Sequence, residues 1–420
     1  MRILFLSNFY PPHEIGGYEQ WCQEVRQGLQ ARGHNVQVLA SRHGVQSEKE
    51  CAVEDGVTRS LHLQADITYY RPNDFFLKRP GQLRANLREL KKSIDQFHPE
   101  VILVWGMWNL SLKLPYWAER LMPGRVAYFI ASYWPMDLDP HTSYWRLPGR
   151  RPVTELVKRP LRALALSSLH REGYPPHLRF EHAVCCSQFV RDKLVQVGKL
   201  PPRAGLLYGG INPEPYLGNI AEDKNCQEKP LRLLYFGRLI HDKGVHTAIQ
   251  ALAILKQRGL ADRVELTILG DGHPEYKARL QSMVMQTHDD NRVHFVAWVP
   301  KEEIPDWLKR FDVYLFTSIW PEPMARSVME AMAAGLLVIG SEVGGQSEML
   351  VNGENALTFK AEDAAGLADH IISVLEDPSL RLRLARSGQD MVLRKFTLTR
   401  MVDDIESYLS KVSEATPVIN

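Results

Sequence analysis

Residues 321–330, PEPMARSVME, hold two carboxylates eight positions apart, Glu322 and Glu330, directly after the apolar run DVYLFTS. Read alone, two acids at a helix start are solvated side chains. The small residues between them suggest more, because a short side chain such as Ala325 lets backbone come close to a ligand. A helix beginning near Ser327 would aim its positive end at an anion, while Glu330, one turn in, could accept hydrogen bonds from neutral hydroxyls. Upstream, FGRLIHDKG places Arg238 and Lys243 on a loop leading into another apolar-periodic segment. A lone Arg or Lys is most often a surface cation. Two beside a helix N-terminus suit a diphosphate, with charge-assisted bonds from the side chains and further bonds from the backbone amides. Gly270 and Gly272 in LGDGH permit close backbone approach, a weak signal by itself because many strand-to-helix loops need glycine.

The elements that must position these residues are legible as alternation. Short apolar runs at 3–7, 35–40, 101–105, 126–130, 182–186 and 205–207 read as strands, and segments such as GYEQWCQEVRQGLQARG between them have helical spacing. A second series begins at Arg232, with RLLYFGRL, VELTILGDG, RVHFVAWV, VYLFTS and LVIGS as strands and helical patterns between. Near-continuous apolar strands separated by helices indicate parallel sheets covered on both faces. Residues 213–230 are polar, proline-bearing and without periodicity, and read as a linker. The expected organisation is an N-terminal doubly wound domain over 1–212, the linker, a second such domain over 231–395, and a C-terminal helix over 396–420 that returns to the first domain. Such domains bind ligands at the carboxyl edges of their strands, so a cleft between two sheets is the expected site.

At 420 residues, two domains are the natural expectation, and 45% apolar with 24% charged residues is the composition of a globular protein. A net charge of +2 gives no general affinity for nucleic acid. The five cysteines, Cys22, Cys51, Cys185, Cys186 and Cys226, are odd in number and contain no CxxC, which suits reduced thiols in a cytoplasm. The opening MRILFLSNFYPP reads as a first strand rather than a signal peptide, and the most apolar windows are about half the length needed to span a bilayer.

The order GR…KG, then GDG, then E-x7-E followed by AMAAG…VIGSEVGG…E resembles the retaining nucleotide-sugar glycosyltransferases of family 4, of the bacterial polysaccharide or glycolipid type. The resemblance extends to GG after the first strand and GGIN before the linker. It implies the GT-B fold, two doubly wound Rossmann-like domains facing a central cleft. It also implies that Arg238 and Lys243 bind the donor diphosphate and that Glu322 faces the donor sugar. Glu330 would take the ribose hydroxyls, and backbone at Met324, Ala325, Arg326 and Ser327 would grip sugar and diphosphate. Gly237, Gly270 and Ala297 would line the donor site, with Gly16 and Gly17 offering amides from the other domain. Family members usually carry Gly-Phe-Gly after the first Glu, where this chain has Pro323, Met324 and Ala325. They also carry a His-Asp pair after the fifth strand, where this chain has Ala131 and Ser132; Tyr133, Trp134 and His141 are the nearby candidates for acceptor contacts.

The activity implied is transfer of a hexose from a nucleoside diphosphate sugar, a UDP-hexose such as UDP-glucose, to a hydroxyl of a glycan or lipid-linked acceptor, with retention of configuration. The resemblance implies no cofactor and no metal. Asp137–x–Asp139 invites a metal reading, because the other main glycosyltransferase fold holds a cation that way, but acids that turn a loop or cap a helix are favoured here. The rival readings are a GT-B epimerase or phosphorylase, or a non-catalytic nucleotide-sugar-binding protein. Finally, residues 146–171 hold seven Lys or Arg against Glu155 alone, mixed with leucines, so peripheral contact with an anionic membrane surface is a further expectation.

Overall fold

The structure is a computed structural model and describes residues 1–13, 16–46, 55–149, 151–217, 229–287 and 291–415. Most of the expected linker therefore lies outside the described residues, as does Arg150. The chain divides into two compact units. The first takes Met1–Cys186, Val190–Leu207 and the chain from Val402 on; the second takes Ser187–Phe189 and Tyr208–Met401.

The first unit runs β1 (Arg2–Ser7), α1 (Gly17–Ala31), β2 (Asn35–Ser41), β3 (Val57–Leu61), α2 (Pro72–Leu77), α3 (Arg79–Phe97), β4 (Val101–Gly106), α4 (Lys113–Leu121), β5 (Val126–Ile130), α5 (Pro140–Arg146), α6 (Pro152–Arg171), β6 (His182–Cys185), α7 (Gln188–Gln196) and β7 (Gly205–Leu206). Its seven strands are ordered β3-β2-β1-β4-β5-β6-β7 and pair in parallel throughout. All six residues of VILVWG in β4 are buried, as a central parallel strand between two helical layers requires. β3, VTRSL, is absent from the strands expected above. It lies at the sheet edge, where its half-buried centre needs no apolar run.

The second unit runs β8 (Leu231–Phe236), α8 (Val245–Gln257), β9 (Val264–Leu269), α9 (Pro274–Thr287), β10 (Val293–Val296), α10 (Ile304–Leu308), β11 (Val313–Phe316), α11 (Arg326–Ala333), β12 (Leu337–Ser341), β13 (Leu357–Phe359), α12 (Ala364–Glu376) and α13 (Pro378–Lys395), and α14 (Leu398–Glu414) follows. Six parallel strands are ordered β10-β9-β8-β11-β12-β13. The direction of winding therefore reverses between β8 and β11, and the crevice outside their carboxyl ends is where a doubly wound sheet binds ligand. Leu233, Leu266, Ile268, Val313, Leu315, Leu337 and Ile339 fill the layer between this sheet and α8, α9 and α12.

Three boundaries differ from expectation: the second unit takes the chain from Tyr208 rather than from beyond residue 212, and the other two have visible reasons. Residues 187–189 join the second unit because the Glu348 carboxylate accepts the amides of Gln188 at 2.9 Å and Phe189 at 2.8 Å, and the Tyr208 hydroxyl at 3.0 Å. The part of α14 that joins the first unit begins at Val402, which packs on α1 where a Cβ at Gly28 would stand 2.7 Å from a Val402 methyl. Arg32 reaches Asp403 and Glu406, each at 2.6 Å, beside it. Among the described residues, no helix is long and apolar enough to cross a membrane.

Candidate active site

The loops at the carboxyl ends of β8 and β11 are joined by backbone. The carbonyl of Asp242 accepts Ile319 N at 2.8 Å and Trp320 N at 3.1 Å, and the Thr317 hydroxyl donates to Lys243 O at 2.8 Å. Gly244, with φ +61°, starts α8, and a Cβ there would collide with Thr317 O, so only glycine allows this approach. The consequence is that Lys243 and Glu322, 79 residues apart, form an ion pair, Nζ to Oε1 at 2.5 Å. Ser318 Oγ donates to the same oxygen at 3.0 Å. Both charged side chains are mostly buried, which weakens water's competition for the pair.

A third loop supports the second. Gly345 N donates to Glu322 O at 2.8 Å, and the chain at Gly344 and Gly345 passes so close to Glu322 O and Pro323 O that a Cβ at either glycine would clash. Ser318, Gly344 and Gly345 thus hold Glu322 in place. Sequence reading assigned them no role, and nothing in LFTS or EVGG by itself distinguishes a residue that holds a carboxylate from one that ends a strand.

α11 begins at Arg326, with Ala325 as its N-cap at φ −85°. Met324 is buried. The Pro-Met-Ala sequence therefore follows Glu322 without left-handed backbone, and the missing glycines leave no strain at Ala325. Ser327 Oγ accepts the buried Tyr314 hydroxyl at 2.9 Å, tying the first turn of α11 to β11. Glu330 is buried and bonded to Arg326, Oε1 to Nε at 3.2 Å, one turn along the helix. Its partner in the structure is thus a guanidinium on the same helix. A hydroxyl ligand there would have to share this carboxylate with Arg326.

Arg238 is exposed, and its carbonyl accepts the Tyr235 hydroxyl at 2.9 Å, which fixes the loop that carries it. Gly237, with φ +150°, and Gly270, with φ +145°, meet back to back: a Cβ on Gly270 would collide with Gly237 O. Gly270 N donates to Val296 O at 3.0 Å, so Ala297, exposed just beyond β10, follows in the same row of strand ends. A cavity elsewhere in the unit, bounded by Arg232, Asp312 and Arg381, lies at the opposite, amino edge of the sheet. There Arg232 holds Asp312 with two bonds of 2.9 Å, and it is an ion-paired seam rather than part of this constellation.

In the first unit the structure corrects two expectations. The Gly16 amide donates to Glu19 Oε2 at 3.0 Å, so it is already satisfied, and a carboxylate one turn into α1 opposes an anion at that N-terminus. Gly17 opens the helix behind it. Tyr133, Trp134 and His141 are all buried, between 1% and 5% exposed, so none presents a side chain for acceptor contact. Trp134 packs near Tyr128 and Phe180, Lys193 lies over the Tyr133 ring, and His141 Nδ1 meets the Tyr70 hydroxyl at 2.8 Å beside Phe75. Of the two acids of DLD, Asp139 caps α5, accepting His141 N at 3.0 Å and Thr142 N at 3.1 Å. Partial burial holds the Asp137 carboxyl above the usual carboxylate range. No group of three or more potential ligands for a metal ion occurs among the described residues.

Burial, reinforced by the Arg79 charge and opposed by Glu172, pushes His141 down to about 3. A histidine depressed in the folded state is neutral in both states at pH 7, and costs stability once the unfolded chain takes up a proton that the native state refuses. The penalty therefore starts near pH 6.5 and grows by about 1.4 kcal/mol per pH unit down toward the folded value. Urea unfolding of wild type and His141→Phe at pH 7, 6 and 5 is expected to show a steeper acid loss in the wild type. Parallel losses would refute this account.

Two Rossmann-like parallel-sheet units define the GT-B class of architecture. Residues 15–215 match the family described as Glycosyltransferase Family 4, and residues 219–391 match Glycosyl transferases group 1. The glycogen synthase of Mycobacterium tuberculosis is 26% identical over 94% of this chain and 91% of its own length. The amylovoran biosynthesis glycosyltransferase AmsK of Erwinia amylovora is 29% identical over 53% of this chain and 52% of its own. Among solved structures, the sucrose-phosphate synthase of Thermosynechococcus elongatus superposes with TM-score 0.73 at 18% identity, covering 99% of this chain and all of the other. Anabaena HepE in complex with UDP-glucose gives 0.68 at 20% identity, covering 98% of this chain and all of its own. The chain belongs to the family 4 type of glycosyltransferases, with the GT-B fold.

Proposed function

We propose that the protein transfers a hexose from a UDP-sugar to a hydroxyl of a glycan or lipid-linked acceptor, with retention of configuration, in polysaccharide or glycolipid synthesis. The observation that carries this reading is the Lys243–Glu322 pair at the switch point between β8 and β11. A fixed cation beside a fixed carboxylate at that crevice supports a reading in which a diphosphate meets the first and its sugar the second. As the glycosidic bond lengthens, positive charge grows on the sugar and negative charge on the departing β-phosphate. Lys243 and Arg238 stabilise the second, and preorganised charge beside the leaving group is the largest lever available for it. The departing phosphate then takes the acceptor proton on the face where attack occurs, so no separate carboxylate base is needed. Glu330 accepts the ribose hydroxyls while sharing its carboxylate with Arg326. The printed functions of the relatives, glycogen synthase and an amylovoran glycosyltransferase, and the UDP-glucose bound in HepE support this choice of chemistry.

Incubation with a panel of nucleotide sugars, scored for nucleoside diphosphate release, tests the reading. UDP release from one UDP-hexose is expected to dominate, and proton NMR of the glycosylated product reports the anomer. Release from none of them, with acceptor extracts present, would overturn it. Because two side-chain cations serve the leaving group, a chelator is expected to leave turnover within about twofold. Complete loss restored by Mn²⁺ or Mg²⁺ would instead give the diphosphate a metal partner.

A further inference from the structure

We infer that α6 is a membrane-docking helix that lies on an anionic bilayer surface through an outward-facing apolar stripe. The helix spans Pro152–Arg171. Val153, Leu156, Val157, Leu161 and Leu164 are between 37% and 77% exposed, and Pro160 between them is exposed too. Their spacing, 3, 1, 3, 1 and 3, places all six within an arc of about 140° at 100° per residue. The opposite face carries Ala165 and Leu169, buried against Phe75, Trp145 and Tyr174. Its charges are tied inward: Arg162 pairs with Glu155 at 2.6 Å, and Lys158 donates to Tyr144 O at 2.8 Å while lying 3.8 Å from the centre of the Tyr144 ring.

This inverts the usual arrangement of a surface helix, whose apolar side faces the core. It also revises the expectation that the whole basic cluster would meet the membrane, since Lys158 and Arg162 are used within the protein. Among the described residues of the cluster, Arg146, Arg151, Arg159 and Arg171 remain exposed; Arg151 and Arg171 stand at the two ends of the stripe and Arg159 on its flank. Leu147, just before the helix, adds a further exposed apolar side chain. A row of aliphatic side chains edged by arginines matches the layering of a bilayer interface, with acyl chains beneath anionic headgroups, and each cation near such a surface adds about 1 kcal/mol of attraction. That complementarity selects an anionic lipid surface over a second copy of this chain, whose identical stripe would bring the same cations together.

Sedimentation with phosphatidylglycerol–phosphatidylcholine vesicles tests the assignment on the full chain. Wild type is expected to bind in low salt, and less as salt screens the headgroups. The variant Leu156→Gln/Leu161→Gln/Leu164→Gln, altered only at exposed positions, is expected to lose at least about tenfold in partitioning at every salt concentration, as removal of inserted aliphatic side chains demands. Arg151→Gln/Arg159→Gln/Arg171→Gln is expected to lose mainly the preference for anionic over neutral vesicles. Unchanged melting temperature and UDP affinity in both variants would show that the fold and the donor unit are intact. Wild type that ignores anionic vesicles in low salt overturns the inference, as does a leucine variant that binds undiminished. A dimer of wild type in analytical ultracentrifugation that the leucine variant dissolves, without vesicle binding by either, would assign the stripe to self-association and equally overturn it.

Discussion

Lys243→Ala is expected to lower turnover by about 30- to 1000-fold with the preferred donor, and Arg238→Ala to fall in the lower part of the same range. The scale is that of one preorganised charge acting on a developing anion, roughly 2–4 kcal/mol of barrier. The asymmetry comes from the structure. Lys243 also neutralises the mostly buried Glu322, whose carboxylate would otherwise keep the neutral Ser318 hydroxyl as its donor, whereas Arg238 stands exposed. An unpaired, partly buried carboxylate repels a diphosphate as well as losing its own partner. Coupling follows: Lys243→Ala combined with Glu322→Gln is expected to lose less than the two single losses multiplied together, because residues in direct contact are not additive. Steady-state kinetics of the two single variants and the double variant measure this. Near-normal rates in both Arg238→Ala and Lys243→Ala would remove the phosphate clamp from the mechanism.

The second large effect separates the two acids of PEPMARSVME. Glu330→Gln is expected to weaken binding of free UDP by about 10- to 100-fold, the scale of a hydrogen bond to a charged acceptor, with kcat at saturating donor much less affected. A ribose contact exists in ground state and transition state alike, so it contributes to affinity rather than to the chemical step. Gln is the informative replacement because it keeps a side-chain oxygen for the Arg326 Nε that donates to Glu330 at 3.2 Å, which Ala would remove. Glu322→Gln is expected to do the reverse, sparing UDP affinity while cutting turnover of the intact sugar nucleotide. Calorimetry with UDP on both variants decides it; equal losses of UDP affinity would collapse the division of labour.

How far these roles could be read in advance depends on the distance over which each signal acts. Whether a segment is strand or helix is set within a few residues by burial pattern and turn chemistry. VILVWG reads as a central strand because no polar residue interrupts it, and it is buried throughout. VTRSL does not, because an edge strand needs apolar contact on only part of its surface. Glycine positions were visible as letters, but their use was not. That Gly244 admits Thr317, and that Gly344 and Gly345 admit Glu322 and Pro323, depends on which loops the sheet order brings together.

The alternation of two parallel α/β units and the set of charged residues that follow their strands are legible in the chain, because hydrophobic period and loop composition are local quantities. The tertiary structure alone decided which charges meet. The order β8-β11 puts Lys243 beside Glu322, and the winding of α11 puts Arg326 on Glu330. It decided burial as well, since a polar side chain's exposure is fixed by what packs over it. His141, Tyr133 and Trp134 look like ligand-binding residues as types but are enclosed by the first unit. The leucines of 153–164 look like core as types, and α6 turns them outward because its inner face is already filled by Ala165, Leu169 and the inward-tied charges of Glu155, Lys158 and Arg162.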